Sequence, residues 1–304
     1  MPEWVADAEL EAWLCEQPVF SEPDLGAWRA GIAERAGGRP REIEMAQVAD
    51  LDAAGVPVRL YVPFGQPSAL LVYLHGGGWT IGSIDGHDPL CRALAGGAGV
   101  RVLSVDYRLA PEHPWPAAVD DAVTVLRWVA TGPSELRAAP RRSGVGGDSA
   151  GGALAALACQ WLREHDPVAL PDVQILLCPN TDLAADTASM REKAVGFALD
   201  AELVRWFARQ WVPDPDRWTD PRVSPLRAEN LSGLPRALVV TAEHDPLRDE
   251  GEAYARRLAE AGVTTTLRRD PGLVHNPIML ARVSPACADA FQRVIADVRM
   301  LLGS

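Results

Sequence analysis

The chain has 304 residues, 48% apolar and 23% charged, with 41 acids against 29 bases and a formal net charge of −12. That length can bury a substantial core, and the acidic balance repels polyanions, which sets nucleic acid aside as a partner. No run approaches the roughly 18 apolar residues of a membrane span, the start MPEWVADAELEAWL is acidic where a secretory signal would be basic, and the five cysteines form no C-x-x-C pair. A soluble, cytoplasmic protein with free buried thiols and no metal is expected, and Lys193, the only lysine, leaves almost no room for a catalytic lysine.

Residues 1–37 carry two short amphipathic helical patterns, DAELEAWLCEQ and PDLGAWRAGIAERAGG, each ended by Pro or Gly. Two strands follow, REIEMAQVADL and VPVRLYVP, joined by a turn at Ala54-Gly55. From there strand and helix alternate. ALLVYLH is a continuous apolar run, as a strand buried on both faces requires, and VRVLSVDY, SGVGGDS, VQILLCP and RALVVTAEHD are of the same kind. Between them PLCRALAGG, PAAVDDAVTVLRWVA, AGGALAALACQWLREH and RDEGEAYARRLAEAG have helical spacing; TTTLRRD and the helix PACADAFQRVIADVRMLL close the chain. Such alternation predicts an α/β fold, a mostly parallel sheet covered by helices on both faces.

One interval breaks the rhythm. Residues 181–229 contain the helical stretch REKAVGFALDAELVRWFARQWV and a Pro/Asp-rich loop but no strand. Six of the ten tryptophans (Trp4, Trp13, Trp28, Trp206, Trp211, Trp218) lie there or in residues 1–37. The expected organisation is therefore a cap built from residues 1–37 and 181–229 over a core made of residues 38–180 and 230–304.

Gly147-Asp148-Ser149-Ala150-Gly151 fits G-x-S-x-G, between an expected strand and an expected helix. Glycines on either side permit a sharp bend that lifts the Ser149 hydroxyl above the C-terminal edge of the sheet, at a helix N-terminus that favours developing negative charge. An N-cap role is the bland alternative.

A serine needs a base, and six histidines are available. With the chain order Ser, acid, His, His75, His87 and His113 come too early. His165 is 16 residues along the same helix, roughly 24 Å away at ~1.5 Å per residue. His244 adjoins Asp245 on a strand, where neighbours face opposite ways. His275, in the expected loop DPGLVHNP, remains as the base. The acid comes from Glu243, Asp245 or Asp249; Asp245 stands at the strand end before Pro246, and Asp249 reads as a first-turn helix acid. His75-Gly76-Gly77-Gly78-Trp79 bares backbone amides, as an oxyanion hole needs, with one more amide from Ala150. It lacks the spacing of a nucleotide-binding loop.

With HGGGW, DYRLAPEHPWPAAVDDA, GDSAGG, SPL and LPRALVVTAEHDPLRDEGEAYARRLAEAGV in order before a late histidine, the chain closely resembles the bacterial hormone-sensitive-lipase-like carboxylesterases of the α/β-hydrolase superfamily. The resemblance implies an eight-stranded core with a helical cap, Ser149 as nucleophile, Asp245 as acid, His275 as base, and Gly76, Gly77 and Ala150 as oxyanion donors. It also makes Glu112 and Asp148 supporting residues. Asn276-Pro277 stands where the family commonly has Gly-Phe, which bears on the pocket wall; Trp79, Asp148, Trp206 and Asn276 are the expected pocket residues.

The function expected is hydrolysis of small-molecule esters of short to medium acyl chain without cofactor, a homodimer being left open. An amidase or deacetylase acting on a natural product would use the same machinery. A dehydratase would need no acyl-enzyme, and a ligand-binding protein would not need His275.

Overall fold

The computed structural model describes residues 5–18, 20–37 and 42–303. Trp4, among the expected cap tryptophans, and Arg41, the first residue of the expected first strand, lie outside them. Two helices, α1 (Ala8–Cys15) and α2 (Leu25–Gly37), precede strands β1 (Gln47–Ala53) and β2 (Val56–Val62). The turn between these strands holds Ala54 at φ 56° and Gly55 at φ 95°. β1 starts later than its sequence suggests. Gln47 already pairs with Val62, the last residue of β2, and Pro63 has no N–H with which to extend the ladder.

Then come β3 (Ala69–Leu74), α3 (Ile84–Ala98), β4 (Arg101–Val105), α4 (Ala117–Ala130), β5 (Arg142–Asp148), α5 (Ala150–His165) and β6 (Val173–Leu177). Residues 178–235 contain α6 (Ala188–Glu192) and α7 (Ala201–Trp211) and no strand. The helical pattern read through 191–212 is broken between these two helices. Gly196 and Ala198 take φ values of 88° and 72° there, and Asp200 accepts hydrogen bonds from the amides of Gly196 and Phe20. The chain ends with β7 (Arg236–His244), α8 (Arg248–Glu260), β8 (Thr265–Val274) and α9 (Pro285–Leu302).

The eight strands form one sheet in the order β1-β2-β4-β3-β5-β6-β7-β8. β1 and β2 run antiparallel to their neighbours, and every pairing from β4 onward is parallel. Alternation along β3 sorts the core into two layers. Leu70, Val72 and Leu74 pack with Ala118, Ala122, Leu154 and Leu258 of α4, α5 and α8, whereas Leu71 and Tyr73 pack with Leu94, Val294 and Ile295 of α3 and α9. Burial on both faces explains why these strands read as unbroken apolar runs.

β8 corrects a second expectation. Pro271-Gly272 reads as the end of a strand, yet β8 runs on to Val274. Ala242 pairs with Asp270 and His244 with Val274, so three residues of β8 face one residue of β7. This bulge has a consequence for chemistry: once His244 and Val274 are neighbours, the next residues, Asp245 and His275, emerge side by side.

Candidate active site

The parallel strands bring their C-terminal ends to one edge, and the residues singled out in the sequence gather there. At the end of β5 the chain turns into α5 with Ser149 at φ 55°, ψ −118°. For a residue with a Cβ that is an uncommon, strained backbone. A Cβ on Gly147 would stand 2.2 Å from the Leu74 carbonyl oxygen, and one on Gly151 would stand 1.9 Å from the same atom. Both glycines are required because the bend is pressed against the end of β3. The Ser149 amide donates to the Leu177 carbonyl at 2.8 Å, which ties the bend to β6 as well.

Asp245 is fully buried. One carboxylate oxygen accepts the Leu247 amide at 2.8 Å, and the other lies 2.8 Å from His275 Nδ1. His244 points the other way and stacks on Phe197. The rival acids are engaged elsewhere: Glu243 accepts the Gly272 amide, and Asp249 accepts the Ser189 amide and pairs with Arg248. His275 and Ser149 line one cavity of about 180 Å³. Cys178, Asp245 and His275 each bring one ligand-type atom within 4.8 Å of the others, the one such group among the described residues. Burial, reinforced by Asp245, pushes the Cys178 thiol well above its usual range, so a metal would have to displace the thiol proton and break the Asp245–His275 bond.

The glycine loop after β3 changes one assignment. The Gly76 amide donates to Asp148 Oδ1 at 3.1 Å, and a Cβ there would overlap Asp148 Oδ2 at 2.1 Å. With its single N–H committed to Asp148, Gly76 has none to offer a substrate. Gly77, Gly78 and Ala150 line the cavity with Ser149; Gly78 is not among the residues singled out from the sequence. Gly77 takes φ 123° and Gly78 φ 57°, and the Gly77 carbonyl accepts the amides of Thr80 and Ile81 in a tight turn. His75 braces this loop. It stacks on Tyr107 at 4.2 Å, and its Nδ1 lies 2.8 Å from the Gly76 carbonyl. Burial and the nearby His87 push its pKa down to about 3, which keeps it neutral.

Asp148, expected beside the substrate, lies beneath the loop instead. Oδ1 accepts from the Tyr73 hydroxyl at 2.6 Å as well as from Gly76, Oδ2 accepts from Asn276 Nδ2 at 2.5 Å, and His87 Nε2 is 3.6 Å away. Burial alone would raise this carboxyl; the His87 contact and the bonds from Tyr73 and Asn276 outweigh it and hold it below the usual carboxylate range. One buried carboxylate thus joins the residue before Ser149, the glycine loop and the residue after His275.

Of the other expected pocket residues, Trp79 and Asn276 line the cavity. Trp79 also stacks flat on Trp211 at 4.1 Å. Trp206 does not reach it. Its Nε1 faces Glu22 at 3.3 Å, and its ring packs with Phe20, Leu25, Trp28 and Ile32. The helix phase decides this: Leu203, Val204 and Phe207 share the cavity-facing side of α7, and Trp206 is turned about 100° from Phe207. Phe207 stacks on Trp28 of α2 at 5.6 Å, so the N-terminal helix and the inserted helix meet over the cavity. Arg29 of α2 adds a fork to Glu112 and a bond to the Ala110 carbonyl. Asn180, Leu199 and Leu247 complete the wall; nothing in their spacing distinguishes them from core residues.

A family model described as the alpha/beta hydrolase fold matches residues 71–279. The chain is similar to the carboxylic ester hydrolase LipN of Mycobacterium tuberculosis, at 43% identity over 96% of this chain and 82% of that one. It is similar also to an ethyl acetate hydrolase of Pseudomonas putida, at 42% identity over 83% and 80%. Among solved structures, a hyperthermophilic esterase from Pyrobaculum calidifontis superposes with a TM-score of 0.90 at 34% identity over 100% of both chains.

Proposed function

The chain belongs to the α/β-hydrolase family and hydrolyses carboxylic esters, and from that premise we propose that Ser149, His275 and Asp245 carry the reaction. The observation that carries this reading is the 2.8 Å contact between His275 Nδ1 and the buried Asp245, on a histidine that lines the same cavity as Ser149. Held at Nδ1, the imidazole turns Nε2 toward the cavity. Ser149 Oγ attacks the ester carbonyl while His275 takes its proton, and the carbonyl oxygen becomes an anion received by the amides of Gly77, Gly78 and Ala150. The C–O bond then breaks, and His275 returns the proton to the departing alcohol. A water molecule repeats both steps on the acyl-enzyme, releasing the acid and restoring Ser149.

The mostly apolar lining and the volume of about 180 Å³ suit a short acyl group. We read α2 and the 181–229 insertion as a cap, because Trp28 and Phe207 meet above Ser149. No helix among the described residues is long and apolar enough to cross a membrane. The five cysteines are free, four of them buried, which supports a reducing, cytoplasmic setting. The test is a panel of acyl esters run on wild type and Ser149→Ala, with fluorophosphonate labelling read by peptide mass. Loss of activity and label together in the variant is expected. Turnover that survives Ser149→Ala overturns the assignment.

A further inference from the structure

Beside the cavity that holds Ser149 and His275 is a second cavity of about 220 Å³, whose lining includes Arg35, Gly76, His87, Asp148 and Met279. The two share Gly77, Ile81 and Asn276. Ser149 and His275 line only the first, and Asp148 only the second. The Asn276 side chain ends on Asp148, its Nδ2 donating to Oδ2 at 2.5 Å. It is therefore a side chain that spans the wall between the two spaces.

We propose that Asn276 is a specificity-determining residue: its side chain, latched to Asp148, closes off the second cavity and so limits the length of the ester arm that fits beside Ser149. The inference rests on the reading of Ser149 as nucleophile. Asn276 sits at φ 56°, ψ 51°, in the left-handed region that asparagine and glycine tolerate best. The wall is consequently a side-chain feature on a fixed backbone, and glycine at 276 would keep the backbone while removing the wall. The space behind is apolar at Ile32, Ile81 and Met279 and polar at its floor, where His87 and Asp148 lie. A longer alkyl chain would enter along the former.

The experiment compares kcat/KM over two series, p-nitrophenyl esters from acetate to dodecanoate and acetates of lengthening alcohols, in wild type and Asn276→Gly. The quantity read is the ratio of the ten-carbon to the two-carbon substrate within each protein, which cancels any general loss from a weakened site. In one series this ratio should rise about tenfold or more in the variant, the scale on which a pocket discriminates alkyl length; the series that responds identifies the arm. Asn276→Ser, which also removes the amide, carries the same expectation should the glycine variant fail to fold. Ratios unchanged in both series, with both variants active, overturn the proposal. That outcome is separate from failure of the nucleophile assignment, which Ser149→Ala reads in the wild-type background.

Discussion

Replacing Asp148 with asparagine removes a charge and little else, so its effect measures what the buried carboxylate contributes. In the native site it accepts from the Tyr73 hydroxyl, the Gly76 amide and Asn276 Nδ2. Bonds to a charged acceptor are worth about 1.5–3 kcal/mol each, roughly twice their neutral counterparts. Asparagine can keep its oxygen toward Tyr73 and Gly76, but its NH2 then faces the NH2 of Asn276, donor against donor, unless Asn276 turns over. Losing about 1 kcal/mol at each of three bonds gives an expected cost of about 3 kcal/mol for Asp148→Asn. Urea unfolding followed by tryptophan fluorescence reads it.

The sign with pH follows from the lowered carboxyl. A group whose folded pKa is depressed contributes in full above its unfolded value, about 3.9 for aspartate, and loses that contribution only as pH falls through the folded one. The gap between wild type and variant should thus still be present at pH 5. Activity should fall about tenfold, or about 1.4 kcal/mol, because Gly76 anchors the loop that carries the Gly77 and Gly78 amides. A gap below about 0.5 kcal/mol, within the range of ordinary surface substitutions, would refute the argument. So would a gap that has closed by pH 5, since the carboxyl would then be titrating where the contacts say it is ionised.

Glu250 carries the opposite expectation. Burial drives its carboxyl well above the usual range, against the pull of the Thr181 and Asp182 amides, so the native state loses stability as pH rises above about 4.3, its unfolded value. Glu250→Gln does not titrate, so its stability relative to wild type should rise with pH above that value; a relative stability that stays constant or falls from pH 4 to pH 7 in urea unfolding contradicts this. Gly151→Ala would put a methyl 1.9 Å from the Leu74 carbonyl oxygen; a loss above about 4 kcal/mol, seen as failure to recover folded protein or a collapsed unfolding midpoint, is expected. Asp245→Asn should retain the fold and lower kcat by about 10⁴, since the wrong tautomer of His275 is then favoured; a loss of less than about tenfold in steady-state assays would remove Asp245 from the acid's role.

What the sequence disclosed and what it hid divide along one physical line. Ser149 and Asp245 could be singled out as candidates because each is constrained locally, Ser149 by flanking glycines and Asp245 by a strand end before proline, and His275 by elimination among six histidines. The sheet was legible for the same reason, since unbroken apolar runs occur where both faces are covered. The misplacements at the site arise where one residue's role depends on a contact remote in the chain. That the Gly76 amide is engaged is decided by Asp148, 72 positions away. Which face of α7 looks into the cavity is decided by Trp206, whose indole nitrogen faces Glu22, 184 positions away. Asn276 reads as a departure in the pocket wall until its amide is seen on a carboxylate 128 positions away. The bulge in β8 combines the two cases. Pro271-Gly272 is a local stop signal, but pairing resumes beyond it at His244 and Val274, and that resumption sets His275 beside Asp245. The irregularity that defeats the local reading of the strand is therefore the one that sets His275 against Asp245, so restoring regular pairing through 271–273 would move His275 out of register with Asp245.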